Sequence, residues 1–230
     1  MTTILAHRGN VSGSRRDAEN TIPAMRAALA HGWGVETDIR RAADGRFYIS
    51  HDPRPAGDGV DAREFFAVFR AHPRATIALN IKETGYEAEL LAYMDGEGVL
   101  AQTFLFDMEL VEPRAGETAA RFRQLHPTVS LAARVSDRDE PLARALAIES
   151  ASIVWLDEFD GPWCTEADLW RLKNAGRTVY AVSPELHGFP LSYVQARWGQ
   201  WIDWGIDGIC TDDPARLARR LIAASEAVPA

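Results

Sequence analysis

Cysteine is scarce in this chain: two residues in 230, Cys164 and Cys210, far apart and outside any CxxC pair. That pattern offers no disulfide framework and reads as two buried or half-buried thiols of a reducing compartment. Long apolar runs are missing too. No stretch approaches the ~20 residues of a membrane span, and the opening Thr2-Thr3-Ile4-Leu5-Ala6 lacks the basic region and longer apolar core of a cleavable leader. A cytosolic location is the expectation. There is no excess of positive charge. Lys and Arg number 25 against 33 Asp and Glu, a net charge of -8. Such a surface repels a polyphosphate backbone, so nucleic acid is excluded as a partner, whereas a small anion in a locally basic pocket is not. Low-complexity tracts, repeats and linkers are absent, and nothing in the sequence signals an oligomeric state.

What is there is a hydrophobic fraction of 47%, enough for one sizeable core spanning residues 1–230. Short apolar runs alternate with amphipathic segments. Ile4–His7, Val35–Ile39, Phe47–His51, Thr76–Lys82, Thr103–Asp107, Ser130–Val135, Ile153–Asp157, Thr178–Ser183 and Gly208–Asp212 read as buried strands. Helical patterns fill the gaps, with Thr165 a suitable N-cap and Asp213-Pro214 a cap-then-proline start for the last helix. Repeated strand–helix units imply a mostly parallel sheet. Polar residues end nearly every strand, which favours a closed barrel over an open sheet with one switch point. Nine strand-like runs exceed eight barrel positions. The link from Ile39 to Phe47 is too short for a helical crossover and contains the hairpin signal Asp44-Gly45. One early unit is therefore expected to lack its helix, with one run outside the barrel.

Four motifs carry chemistry. In Ala6-His7-Arg8-Gly9, His7 offers proton transfer near neutral pH and Arg8 a planar fork for phosphate oxygens. In Val35-Glu36-Thr37-Asp38, strand alternation puts both carboxylates on one face. They are either ligands of a hard cation, magnesium or calcium, or a structural pair neutralised by Arg40 or Lys82. Ser50-His51-Asp52-Pro53 supplies a second histidine, and two histidines suit an acid and a base on opposite sides of a scissile bond. In Leu79-Asn80-Ile81-Lys82, the ammonium of Lys82 can neutralise a phosphate oxygen and the Asn80 carbonyl can ligate a metal. Glu185 and His187 lie just past a strand end and can face a pocket. So can Asp157 and Glu158, while Arg134 and Asp107 are expected to pair across the mouth. Most tryptophans of the C-terminal third are expected to pack helices on the barrel, with Trp155 nearer the pocket.

In order, His7-Arg8-Gly9, Glu19-Asn20-Thr21, Glu36-Thr37-Asp38, Asp44-Gly45, His51-Asp52, Ile81-Lys82 and the closing Gly208–Pro214 segment resemble the glycerophosphodiester phosphodiesterase family. The resemblance implies a TIM-like (β/α)8 barrel of the PLC-like phosphodiesterase type with an irregular early unit. It implies a divalent metal, magnesium or calcium, and a small-molecule phosphodiester substrate, with a place in lipid-derived metabolism. By position, His7 and His51 become acid and base. Arg8, Lys82 and Glu185 become phosphate- or substrate-binding groups, and Glu36, Asp38 and Asn80 the metal positions. In the family, a neighbouring hydroxyl of the substrate can attack phosphorus. Three departures stand out: Asn80 replaces a carboxylate, Pro53 to Ile77 leaves room only for a loop and one helix, and Ser183–Gly188 replaces a Trp-Thr-Val-Asn type segment. The other readings are a catalytically weak barrel that binds an anionic polyol, and a metal-assisted enzyme on an unrelated substrate. The lack of a histidine-rich cluster speaks against a zinc hydrolase.

Overall fold

A computed structural model describes residues 2–54 and 59–226. Eight parallel strands close into a ring. They are β1 (Thr3–His7), β2 (Gly34–Arg41), β5 (Ile77–Ile81), β6 (Thr103–Phe106), β7 (Ser130–Val135), β8 (Ile153–Leu156), β9 (Thr178–Val182) and β10 (Gly208–Thr211). β1 pairs with both β10 and β2, which closes the barrel. Helices α1 (Ile22–Ala30), α2 (Ala62–Arg70), α3 (Glu87–Gly96), α4 (Glu117–Leu125), α5 (Leu142–Ala147), α6 (Glu166–Asn174), α7 (Leu191–Asp203) and α8 (Pro214–Glu226) form the outer layer.

The extra run is a hairpin on the outside. β3 (Phe47–Ile49) runs antiparallel to β2, pairing Arg41 with Phe47 and Ile39 with Ile49, and β4 (Val60–Asp61) pairs with β3. The expectation of a missing helix needs correction. α2 follows β4 directly and supplies the crossover to β5. The strand is also shorter than its apolar run: it ends at Ile49, so His51 sits on a rim loop beyond it. The loop expected after Pro53 includes residues 55–58, which lie outside the described residues.

Period-two alternation divides the core. On β2, Val35 and Ile39 face the helices, and on β5 so do Ile77, Leu79 and Ile81. The opposite faces fill the barrel, where Leu5, Ala78, Phe104, Phe106, Trp155 and Tyr180 pack together. This inner plug is the floor on which the polar strand ends stand. Helix starts follow the expected chemistry. Thr165 closes a capping box with Asp168, and the Asp213 carboxylate accepts from Arg216 N at 3.2 Å. Trp198 and Trp201 are sealed in the helix–barrel layer, whereas Trp170 is exposed on α6. Cys164 and Cys210 are free and buried. No helix among the described residues is long and apolar enough to cross a membrane.

Candidate active site

The C-terminal strand ends surround one cavity of about 1050 Å³. Its lining brings together His7, Arg8, Glu36, Asp38, His51, Asn80, Lys82 and Glu185, the eight residues to which the family resemblance gave a role.

His7 ends β1. Its Nδ1 lies 2.7 Å from Asp212 Oδ1, and its Nε2 faces Glu36 Oε2 at 3.8 Å. Burial works against an imidazolium here. The Asp212 hydrogen bond and the Glu36 and Asp212 charges outweigh it, and the His7 pKa is held above its ordinary value. Asp212 is fixed in turn by Asn10 Nδ2 at 2.8 Å. Glu185 braces the same loop: it accepts from Thr211 Oγ1, Ser183 Oγ and, at 3.1 Å, Asp212 N.

Arg8 leaves the strand with φ 49°, and Gly9 follows at φ 82°. A side chain on Gly9 would meet the Ala24 Cβ at 3.0 Å, so only glycine lets the turn pack on α1. The turn aims the guanidinium across the mouth. Its Nη1 donates to Glu19 at 2.9 Å, while Nε lies 3.3 Å from Asp38 Oδ2 without hydrogen-bond alignment. Asn20 and Asp107 also adopt positive φ, 59° and 64°. Three of the four left-handed non-glycine residues among those described thus line this cavity. Such strain concentrates where a site over-determines the backbone.

Glu36 and Asp38 share the inner face, as alternation requires, but their surroundings differ. Asp38 accepts from Asn20 at 3.2 Å and has Lys82 Nζ at 2.9 Å. Burial raises its pKa and the Lys82 and Arg8 charges more than reverse this, leaving it below the ordinary carboxylate range. The alternative of a pair neutralised by Lys82 therefore describes Asp38. Arg40 instead turns to Glu83 and the His51 carbonyl. Glu36 has no such partner. Its Oε2 is sealed and accepts no hydrogen bond, and burial together with Asp38 pushes its pKa up to about 7.

A buried carboxylate oxygen without a donor calls for a proton or a cation. Glu36, Asp38 and the Asn80 amide oxygen are all hard oxygen donors, so the set fits magnesium or calcium. It is a weakly charged set, and no group of three His, Cys, Asp or Glu side chains among the described residues is placed to hold a metal. Asn80 turns its Nδ2 to Asp107 Oδ2 at 2.8 Å, which leaves Oδ1 for other partners.

His51 stands on the rim, 47% exposed, with Nδ1 2.8 Å from Asp52 Oδ1. Opposite it a chain of ion pairs runs across adjacent strand ends. Arg134 bonds Asp107 at 2.7 Å and both Asp157 and Glu140 at 2.8 Å, and His187 Nε2 lies 2.5 Å from Asp157. The expected Arg134–Asp107 pair is present. Asp157 lines the cavity; its neighbour Glu158 is fully buried against Arg197, at 2.5 Å, on the helix side. Sequence reasoning gave no role to Asp212, Asn10, Glu19 or Asn20. The Glu19-Asn20-Thr21 motif and the acidic end of the last strand were the available signals. The contact between His7 and Asp212, 205 residues apart, was not.

A parallel β/α barrel thus carries two histidines, each beside a carboxylate, with an arginine and a lysine around one mouth. The sequence model of the glycerophosphoryl diester phosphodiesterase family matches residues 7–113 of the chain. Solved structures extend the likeness in fold to nearly the whole chain. A glycerophosphodiester phosphodiesterase from Agrobacterium tumefaciens is 21% identical with a TM-score of 0.71, covering 95% of this chain and 100% of its own. One from Parabacteroides distasonis is 15% identical with a TM-score of 0.68, covering 97% and 98%. An Oleispira antarctica phosphodiesterase in complex with the product sn-glycerol-3-phosphate is 17% identical with a TM-score of 0.65, covering 96% and 97%. No curated protein sequence matches the chain.

Proposed function

We propose that the chain hydrolyses a glycerophosphodiester or related polyol phosphodiester by histidine acid–base catalysis. The observation that carries this reading is the convergence of His7 and His51, each with a carboxylate at Nδ1, on the cavity that also holds Arg8 and Lys82. Arg8 and Lys82 place positive charge on the non-bridging phosphate oxygens. The exposed His51 takes the proton of the attacking hydroxyl, from water or from the substrate itself. A phosphorus–oxygen bond forms to that hydroxyl as the bond to the leaving alcohol breaks. His7, whose proton is retained by Asp212 and Glu36, donates it to the departing oxygen. Asp212 orients His7, and Glu185 holds Asp212, so we read Glu185 as a brace for the acid rather than a phosphate ligand. Glu36, Asp38 and Asn80 are the residues that would hold a divalent cation, which would supply further positive charge to the site.

The test is 31P NMR of glycerophosphoglycerol and bis(p-nitrophenyl) phosphate incubated with the protein and magnesium or calcium. Conversion of the diester resonance to a monoester is expected. Binding with no turnover on any diester contradicts the reading and favours the anionic-polyol binder. Charge in the oxygen set sets divalent affinity. Asn80→Glu is therefore expected to tighten magnesium or calcium binding by about tenfold, ~1.4 kcal/mol, in calorimetric titration. An unchanged affinity removes Asn80 from the metal position.

A further inference from the structure

The wall facing His51 holds a histidine with no part in the acid–base step. His187 closes the short 3-10 turn Pro184–His187 after β9 and lines the cavity. It is held on two sides. Its Nε2 is 2.5 Å from Asp157 Oδ1, whose other oxygen is taken by Arg134. Its ring packs on Phe159 with centroids 4.3 Å apart, and Phe159 lies 4.2 Å beneath the Arg138 guanidinium. A ring nitrogen so close to a carboxylate carries a proton, which leaves Nδ1 as the ring's free polar atom. Among the described residues Nδ1 has no partner, and it is not one of the buried unpartnered atoms; the side chain is 17% exposed. The ring is thus fixed in place with one polar atom open to the cavity, where a ligand can meet it.

The neighbouring groups define the ligand's chemistry. Trp155 lines the cavity beside Phe106, ring centroids 4.2 Å apart, and its indole N–H has no acceptor among the described residues. The Arg134 guanidinium is committed through all three nitrogens to Asp107, Glu140 and Asp157. This wall therefore offers one open ring nitrogen, one open indole N–H and aromatic faces, but no uncommitted Arg or Lys. It matches hydroxyl groups and disfavours a second anionic group. Strand order fixes which end of the diester reaches it. Around the mouth, His51 lies beyond β2 on one side of β1, whereas Asp157 and His187 follow β8 and β9 on the other. His7, on β1, stands between them. An alcohol protonated by His7 and leaving away from His51 extends toward β9.

We infer that His187, positioned by Asp157 and Phe159, binds a hydroxyl of the leaving alcohol over Trp155 and makes the site selective for polyol leaving groups. The inference rests on the phosphodiesterase reading for the direction of departure. The test compares kcat/KM for glycerophosphoglycerol with that for glycerophosphoethanol, whose leaving alcohol lacks the further hydroxyls. The native protein is expected to prefer the polyol at least ~10-fold, as for a site built to hydrogen-bond a hydroxyl. In His187→Ala the ratio is expected to fall toward one, through a rise in KM for the polyol diester. His187→Asn, with an amide oxygen near the Nδ1 position, is expected to restore part of it, and Trp155→Phe to lose part. A native ratio near one, or a ratio unchanged in His187→Ala, overturns the proposal. Absence of turnover on both diesters would count against the phosphodiesterase reading instead. The subsite is then read from the His187 imidazole 15N resonances during glycerol titration: a shift supports it, and none overturns it.

Discussion

Replacing either His7 or His51 by alanine is expected to lower kcat for hydrolysis of an alkyl glycerophosphodiester at least ~10²-fold, within the usual range for loss of a general acid or base. The two losses have different causes. His7 is 15% exposed and tethered to Asp212, so in the proposed mechanism its removal takes away the proton for the leaving oxygen. His51 is a rim residue with its Nδ1 tied to Asp52, so its removal leaves the attacking hydroxyl unactivated while the phosphate pocket stays intact. KM is accordingly expected to change far less than kcat. Asp212→Asn supplies the control. It removes a charge that raises the His7 pKa, so the protonated form of His7 is lost at lower pH. The alkaline limb of kcat/KM should move down the pH scale. Full activity in either alanine variant, or an alkaline limb that stays in place in Asp212→Asn, contradicts these roles.

The largest effect on stability is expected at Arg134. Its side chain is 6% exposed and neutralises Asp107, Glu140 and Asp157 together. Arg134→Ala strands buried carboxylates, a change that costs about 3–5 kcal/mol, or roughly 6–20 °C of Tm for a chain of this size. The loss should depend on pH in a defined direction. Burial already raises the Asp107 pKa, and the Arg134 charge counters that. Without Arg134 the folded-state pKa rises further above its unfolded value. Stability is then retained below the unfolded pKa and lost as pH climbs through the folded one. The Tm deficit relative to the native protein should therefore be larger at pH 8 than at pH 5. A deficit independent of pH would mean that lost packing, not stranded charge, sets the cost.

The barrel was legible because its signals are local. Apolar runs of strand length, the Thr165 cap and the short Ile39–Phe47 link each act over a few residues, and the structure reproduces them. The alternation that aimed Glu36 and Asp38 inward was equally readable, since period two leaves no choice once Val35 and Ile39 are buried. Partner identity was not. Glu36 and Asp38 look alike in sequence. Only the fold shows that Lys82 reaches Asp38 at 2.9 Å while Glu36 keeps an unpartnered oxygen. Asp157 and Glu158 are adjacent and chemically alike, yet just past the end of β8 one turns to the cavity and the other to Arg197. His51 was misplaced by two residues because an apolar run does not record where an outer hairpin stops pairing.

Leaving-group dependence tests the division of labour between the two histidines most directly. Hydrolysis rates of the native protein, His7→Ala and His51→Ala are compared on an alkyl glycerophosphodiester and on bis(p-nitrophenyl) phosphate, whose leaving group departs as a stable anion. If His7 is the acid, His7→Ala loses at least ~10²-fold on the alkyl diester and much less on the nitrophenyl diester, whereas His51→Ala loses heavily on both. Equal losses for His7→Ala on the two substrates would contradict proton donation by His7.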